Sequence, residues 1–190
     1  MISDDFTFAN VRRVGQAIAR YLEKVGLEEG SGPVVIGYDT RFLSDRYARE
    51  LAGVLQSSGI AVRLSGKPVI TPALSFVTAN LQARLGIMVT ASHNPPEYNG
   101  IKIKASYGGP VDQAVIDGIE ECLPEEVPPL AIDDREIQTL DLNAIYLPAV
   151  RSKIDWQGIS TSGLTVVIDA MHGAGAGYLD RLLEEHGIRV

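Results

Sequence analysis

The chain has 190 residues, 45% of them hydrophobic and 22% charged, which is typical of a folded globular protein and excludes a disordered one. Its net charge of −7 argues against general nucleic-acid binding, which needs a basic face that displaces counterions. We expect a cytoplasmic protein without membrane contact. The chain has a single cysteine and no signal-peptide pattern, and no apolar run approaches the roughly 20 residues of a membrane span.

Helical and strand patterns alternate along the first part of the chain. Apolar residues at helical spacing predict a helix over residues 8–25, with Thr7 as its N-cap and Gly26 at its end. The elements predicted next are a strand over 34–38, a helix over 44–58, a strand over 61–64, a helix from an N-capping Thr71 to about 81, and strands over 85–90 and 100–104. This alternation with short connections predicts a layered α/β/α domain whose mixed sheet is mainly parallel.

The second part of the chain is expected to complete this domain and to begin another. The predicted elements are a helix over 111–123, a surface connection over 124–129, a helix over 134–154 kinked or ended by Pro148, a strand over 164–170, a Gly-rich turn over 173–177, a helix over 178–186 and a strand from Ile188. We therefore expect a first domain over 1–155, a linker over 156–163 and the first strand–helix unit of a second α/β domain over 164–190.

Residues 89–104 form the most informative stretch and read Val-Thr-Ala-Ser-His-Asn-Pro-Pro-Glu-Tyr-Asn-Gly-Ile-Lys-Ile-Lys. Ser92 comes just after a predicted strand, where open parallel sheets bind ligands, and a stiff Pro95-Pro96 turn follows. A turn serine that bonds its own backbone is the alternative. The motif has no evident histidine–carboxylate pair for attack on a carbonyl, whereas its cations and amides suit an oxygen that holds phosphate.

Three further side chains could hold phosphate oxygens at this edge of the sheet. His93 and Asn94 could donate hydrogen bonds, although such residues also serve as turn or capping groups. Arg41 follows the first strand within Asp39-Thr40-Arg41 and could bind phosphate through two parallel hydrogen bonds. It could instead form a surface salt bridge with Asp39 or Asp45.

Lys102 and Lys104 alternate with two isoleucines near the end of the same stretch. From the pattern alone, they are the water-facing side chains of a half-buried strand.

The whole string around Ser92 resembles the phosphoserine loop of the α-D-phosphohexomutases, which include phosphoglucomutases, phosphomannomutases and phosphoglucosamine mutases. The resemblance is also clear over 34–45 and 164–187. It implies that Ser92 exchanges a phosphoryl group with a sugar phosphate and that Arg41 lies close to the phosphoserine. It further implies that Lys102 reaches the reacting hydroxyl and shuttles its proton, with a pKa lowered by burial or nearby cations.

The resemblance implies an intramolecular phosphotransferase, that is, an isomerase, that interconverts hexose 1-phosphate and hexose 6-phosphate, with glucose or mannose as the sugar. It also implies a bisphosphate intermediate, glucose 1,6-bisphosphate as activator, and Mg²⁺ bound in part through the phosphate on Ser92. The resemblance also implies that the metal-binding aspartates and the sugar-reading loops belong to domains II–IV, outside this sequence. Asp133-Asp134 lacks the metal-loop pattern and does not replace them. We therefore expect a fragment that is inactive alone.

Two alternatives to this interpretation remain open. The first is a non-catalytic α/β domain that binds a phosphosugar or a partner chain, which predicts no covalent phosphate on Ser92. The second is a nucleotide-binding oxidoreductase built on Gly173-Ala-Gly175-Ala-Gly177, which predicts binding of NAD. The spacing is G-x-G-x-G rather than G-x-G-x-x-G, and the given sequence leaves no room for an acidic residue about 20 positions later, so a tight turn fits better.

Overall fold

The computed structural model describes residues 1–26, 32–128 and 137–190. A five-stranded sheet lies at its centre, in the order β4-β3-β1-β2-β5. The strands are β1 (Val34–Tyr38), β2 (Val62–Ser65), β3 (Leu85–Val89), β4 (Ile101–Lys104) and β5 (Thr139–Leu140). All neighbouring pairs are parallel except β3 and β4, which run antiparallel. The predicted mixed, mainly parallel sheet is confirmed.

Helices cover both faces of this sheet. They are α1 (Phe8–Val25), α2 (Ser44–Ser57), α3 (Thr71–Asn80), α4 (Gln113–Glu120), α5 (Leu142–Arg151), α6 (Trp156–Ser160) and α7 (Leu179–Glu184). The first two pack on one face together with α4, and α3 and α5 pack on the other, which confirms the predicted layers. Among the described residues, no helix is both long and apolar enough to cross a membrane.

The central strands are buried on both faces because each face carries its own apolar cluster. In β1, Val34 and Ile36 belong to the cluster beneath α1 and α2, whereas Val35 belongs to the cluster beneath α3 and α5. This alternation follows from the two-residue period of a strand. All five residues of β1 and of β3 are buried, so these strands bring polar groups to the surface only at their ends.

The helix predicted over 134–154 is the main error in the first domain. Residues 134–136, with Asp133, lie outside the described residues, and Thr139–Leu140 form β5, which pairs with the free edge of β2. The side chain of Asp141 then accepts the N–H groups of Asn143 and Ala144, so the helix starts only at Leu142. Pro148 lies inside α5 and does not end it.

Two other predicted helix starts also shift. Helix α4 is shorter than the predicted 111–123 because Val111 donates its N–H to the Ile103 carbonyl at 3.4 Å and still follows β4. Ile70 rather than Thr71 is the N-cap of α3.

The last 27 residues form less regular structure than their pattern predicts. The expected strands over 164–170 and from Ile188 meet in one isolated parallel bridge between Thr165 and Arg189. Two strands alone are only marginally stable, and these two segments have no third strand to pair with among the described residues. Leu164 and Val167 in the first of them remain exposed. The expected linker contains the short helix α6, and the division into domains stays a prediction.

Candidate functional site

The carboxyl ends of β1 and β3 lie side by side and bring two loops together. Asp39, the first residue after β1, donates its N–H to the carbonyl of Val89 at 3.1 Å. Thr90, the first residue after β3, donates to the carbonyl of Gly100 at 2.9 Å at the start of β4. The Asp39–Phe42 turn and the loop over residues 91–100 therefore leave the sheet at the same edge.

Ser92 is exposed and adopts a left-handed backbone conformation with φ 58°. This conformation costs a non-glycine residue about 1–2 kcal/mol, so surrounding contacts must hold it. The Ser92 N–H donates to Thr90 Oγ1 at 2.9 Å, and Ser92 Oγ lies 3.5 Å from His93 Nδ1. The Ser92 hydroxyl thus lies beside the imidazole of His93, and the Ser92 N–H group is held by Thr90.

A hydrogen-bonded network centred on Asp39 lies beneath this serine. The Asp39 carboxylate accepts from the N–H of Arg41 at 3.0 Å, from Ser44 Oγ at 2.8 Å and from Thr90 Oγ1 at 2.6 Å. Asn99 Nδ2 donates to Ser44 Oγ at 2.8 Å and so ties the far end of the loop to the same group. One largely buried carboxylate therefore organises residues from the β1 end, α2 and both ends of the loop.

The guanidinium of Arg41 bonds the main chain of the serine loop. Its two terminal nitrogens donate to four loop carbonyls: Pro95 at 2.8 Å, Tyr98 at 3.1 Å, Ser92 at 2.9 Å and Asn94 at 2.5 Å. Its Nε lies 3.3 Å from Asp39 Oδ2. The salt bridge with Asp39 that the sequence allowed is present, although its side chains are only 14% and 13% exposed and are not on the surface.

The two lysines of β4 lie on the same face of the sheet but at different distances from the loop. Ile101 and Ile103 pack towards α1 and α2, which places Lys102 and Lys104 on the opposite face. Lys102 is exposed and pairs with Met88, whereas Lys104 pairs two residues further from the Ser92 end, a separation of roughly 6–7 Å. Proton transfer by Lys102 stays a prediction.

An open cleft of about 1000 Å³ lies in front of Ser92. The predicted residues Arg41, Ser92, His93 and Asn94 all line it, together with the start of α3 and the turn over residues 171–175. Thr40 Oγ1 donates to the His172 carbonyl at 3.0 Å and bridges the two sides. The structure therefore brings four of the five predicted site residues together in one concave surface, with Lys102 on the adjoining strand.

A smaller cavity of about 510 Å³ opens at the opposite end of the sheet, between α1 and α4. Its walls contain both apolar and polar residues, and its arginine, Arg84, donates to the carbonyls of Leu22 and Gly26 at 2.9 Å. It contains none of the residues that the sequence singled out, so we place the functional site at the larger cleft.

The described residues do not fit a magnesium site made by protein ligands. Across residues 1–26, 32–128 and 137–190, no group of three or more His, Cys, Asp and Glu side chains could hold a metal ion. The only metal ligand that the sequence predicts in this chain, a phosphate on Ser92, supplies oxygen atoms but no carboxylate.

Three contributors to the site were missed from the sequence: Thr90, Ser44 and Asn99. Each has a short polar side chain next to a predicted strand end or helix start, which is a signal for turns and caps as much as for a site. Their shared role depends on the pairing of β1 with β3, which the sequence does not specify.

Comparison with known proteins places this geometry in context. Residues 1–128 match the family model described as phosphoglucomutase/phosphomannomutase, alpha/beta/alpha domain I. A phosphoglucomutase of Staphylococcus saprophyticus is 32% identical over 186 residues, which cover 92% of this chain and 33% of that protein. A phosphoglucosamine mutase of Cereibacter sphaeroides is 36% identical over 187 residues, covering 94% and 39%.

The solved structures include a protein of Thermus thermophilus assigned as a phosphomannomutase. It superimposes with a TM-score of 0.87 and is 42% identical, over 100% of this chain and 42% of that one. The chain thus spans about a third to two fifths of the length of these relatives.

Proposed function

This chain belongs to the phosphoglucomutase/phosphomannomutase family, and on that premise we propose that Ser92 carries the phosphoryl group of a mutase that interconverts hexose 1-phosphate and hexose 6-phosphate. The position of Ser92 carries the proposal. Its exposed hydroxyl lies beyond the carboxyl end of β3, in a cleft, on a loop whose main chain is held by Arg41 and Thr90. Phosphoryl transfer depends mainly on such positioning and on neutralisation of charge.

In the proposed reaction, Ser92 Oγ forms a bond to phosphorus as the bond between phosphorus and a sugar oxygen breaks. The hydroxyl proton passes to Lys102, and the released sugar oxygen takes up a proton. The transfer therefore exchanges one proton for one phosphoryl group. Run in reverse, the same step moves the phosphoryl group of phospho-Ser92 to the free hydroxyl of a hexose monophosphate and forms a bisphosphate. The bisphosphate then turns round and returns its other phosphoryl group to Ser92.

The charge of the phosphoryl group must be balanced within the cleft. His93 and Asn94 line the cleft beside Ser92 and offer hydrogen-bond donors. Arg41 already donates to loop carbonyls, so it contributes positive charge close to Ser92 rather than bonds to phosphate. Mg²⁺ would supply further neutralisation, and we propose that its carboxylate ligands lie outside the described residues.

Relatives named phosphoglucomutase and phosphoglucosamine mutase support hexose phosphates as the substrate class without selecting one sugar. We also propose that the chain alone does not turn over, because a single open cleft cannot enclose a bisphosphate while it reorients. Loss of glucose 1-phosphate in a coupled assay, dependent on Mg²⁺ and abolished by Ser92→Ala, would contradict this part of the proposal.

Covalent phosphate on Ser92 is the direct test. The chain is incubated with glucose 1,6-bisphosphate and Mg²⁺, and intact-mass and peptide mass spectrometry locate the phosphate. We expect one phosphate on Ser92 and none in Ser92→Ala. Phosphate on another serine, or saturable binding of the bisphosphate without covalent phosphate, would favour the non-catalytic binding domain instead.

A further inference from the structure

We propose that Arg41 is a positioning residue that holds Ser92 in place through the main chain of its loop. On this view, the reaction needs the forked shape of the guanidinium and not only its charge. The part that concerns catalysis rests on the proposed function, whereas the part that concerns the loop can be tested without it.

The first argument is the use of the donors of Arg41. A guanidinium has five N–H groups in a fixed plane. Four of them donate to carbonyls of the Ser92 loop, and the fifth, on Nε, faces Asp39. Both terminal nitrogens therefore already donate to the loop, and binding of phosphate by either of them would break a bond to the loop.

The second argument is that the loop has few ways to hold itself. Pro95 and Pro96 lack N–H groups, so this part of the loop cannot form a dense set of main-chain hydrogen bonds. Its turns contain the bonds from the Asn94 N–H to the Ala91 carbonyl at 3.0 Å and from the Tyr98 N–H to the Pro95 carbonyl at 3.1 Å. Arg41 adds four more bonds from one side chain, so it supplies most of the cross-links to this exposed segment.

The third argument is that both peptide groups of Ser92 are connected to the Asp39–Arg41 ion pair, the carbonyl directly and the N–H group through Thr90. The Ser92 carbonyl accepts from Arg41 Nη2 at 2.9 Å. The Ser92 N–H donates to Thr90 Oγ1, which in turn donates to the Asp39 carboxylate that pairs with Arg41. Asp39, Arg41, Thr90 and Ser92 thus form a closed ring. This ring fixes the left-handed conformation that directs the serine side chain.

The substitution Arg41→Lys separates the effect of the shape of the side chain from the effect of its charge. Its ammonium carries the same charge, but its three donors radiate from one nitrogen and cannot reach four carbonyls arranged around a planar fork. Arg84→Lys is the matched control, because Arg84 also donates to two main-chain carbonyls but lies at the opposite end of the sheet.

The structural test is hydrogen–deuterium exchange of the loop amides in the chain without ligand. We expect Arg41→Lys to accelerate exchange at Ser92, Asn94 and Tyr98 by about tenfold or more, because charge-assisted hydrogen bonds are lost there. Arg84→Lys should leave these amides at the wild-type rate. Wild-type exchange in Arg41→Lys would overturn the proposal, and far-UV circular dichroism checks that each variant is folded.

A second pair of variants decides the matter if Arg41→Lys does not fold. Thr90→Val removes the acceptor of the Ser92 N–H at nearly constant volume, whereas Thr90→Ser keeps it. We expect faster exchange at Ser92 in the valine variant and recovery towards the wild-type rate in the serine variant. Equal exchange rates at Ser92 in the two variants would contradict the claim that the ring of Asp39, Arg41, Thr90 and Ser92 holds the serine.

The catalytic test is the rate at which glucose 1,6-bisphosphate phosphorylates Ser92. We expect Arg41→Lys to lower the saturated rate by about 10- to 100-fold while the half-saturating concentration changes by less than about threefold. If Arg41 bound the phosphate directly, Arg41→Lys would instead raise the half-saturating concentration by more than about threefold, and that result would overturn the proposal. If the wild-type chain takes up no phosphate at all, the proposed function fails, while the exchange experiment still decides the role of Arg41.

Discussion

Replacing Gly86 with alanine should strain the strand that leads to Ser92. A methyl group on Gly86 would lie 2.2 Å from Thr78 Oγ1 and 3.2 Å from Lys104 Cβ. Thr78 is fully buried, and its hydroxyl donates to the Leu74 carbonyl at 2.8 Å, so it cannot turn away without losing that bond. Overpacking costs about 1–3 kcal/mol and a hydrogen bond about 1 kcal/mol. We therefore expect Gly86→Ala to lower the free energy of unfolding by about 2–4 kcal/mol.

Urea unfolding followed by circular dichroism measures this loss. Gly66→Ala is the control, because Gly66 is exposed, has a φ outside the left-handed region and has no heavy atom within 4 Å of the place that a methyl group would take. It should stay within about 1 kcal/mol of the wild type. Combining Gly86→Ala with Thr78→Ala should cost at least about 1 kcal/mol less than the sum of the two single changes. Strict additivity, or a loss no larger than that of Gly66→Ala, would refute the clash.

Two further predictions concern single charged side chains. In the intact enzyme, Lys102→Ala should lower turnover by roughly 10²–10⁴-fold if this lysine transfers the proton, whereas Lys104→Ala should stay within a few-fold; equal, small losses would mean that both lysines are only solvated. Burial raises the pKa of Asp141, but the hydrogen bonds from Lys67 and from the N–H groups of Asn143 and Ala144 outweigh it and hold that pKa below 3.8. The ionised Asp141 therefore stabilises the fold above about pH 4, and this stabilisation is lost as the pH falls through the lower folded pKa. Asp141→Asn should lower the free energy of unfolding by less than about 1 kcal/mol at pH 7, and by progressively less in acid. Urea unfolding at several pH values measures this difference. A cost for Asp141→Asn that does not shrink in acid would contradict the ion pair.

The regular elements around the sheet could be predicted because their periodicity is strong. The helix Phe8–Val25 has the predicted bounds, and Thr7 accepts the N–H of Asn10 as the predicted cap. Strand β5 could not be predicted, since a two-residue strand has no periodicity and Thr139–Leu140 is fixed only by pairing with β2. Pro148 does not end α5, because a helix can continue past one missing donor.

The site was predictable as a location but not as a network. The motif around Ser92 located the loop, and the order of strands and helices put Arg41 at the same edge. The role of Arg41 depends on main-chain carbonyls, which every residue carries and no sequence pattern marks. The position of Thr90 between Asp39 and Ser92 likewise depends on which strands are neighbours.

The antiparallel pairing of β4 with β3 links the serine and the lysine through strand register. Met88 lies opposite Lys102, so the two ends of the loop are fixed to the same pair of strands. The loop between them could therefore lengthen without moving Lys102 along the sheet. Removing a single residue within β4 would instead reverse its faces, turning Ile103 towards the lysine side and a lysine towards the core. Insertions and deletions in this part of the protein should therefore be tolerated in the loop but not within β4, where a shift by one residue exchanges the two faces of the strand.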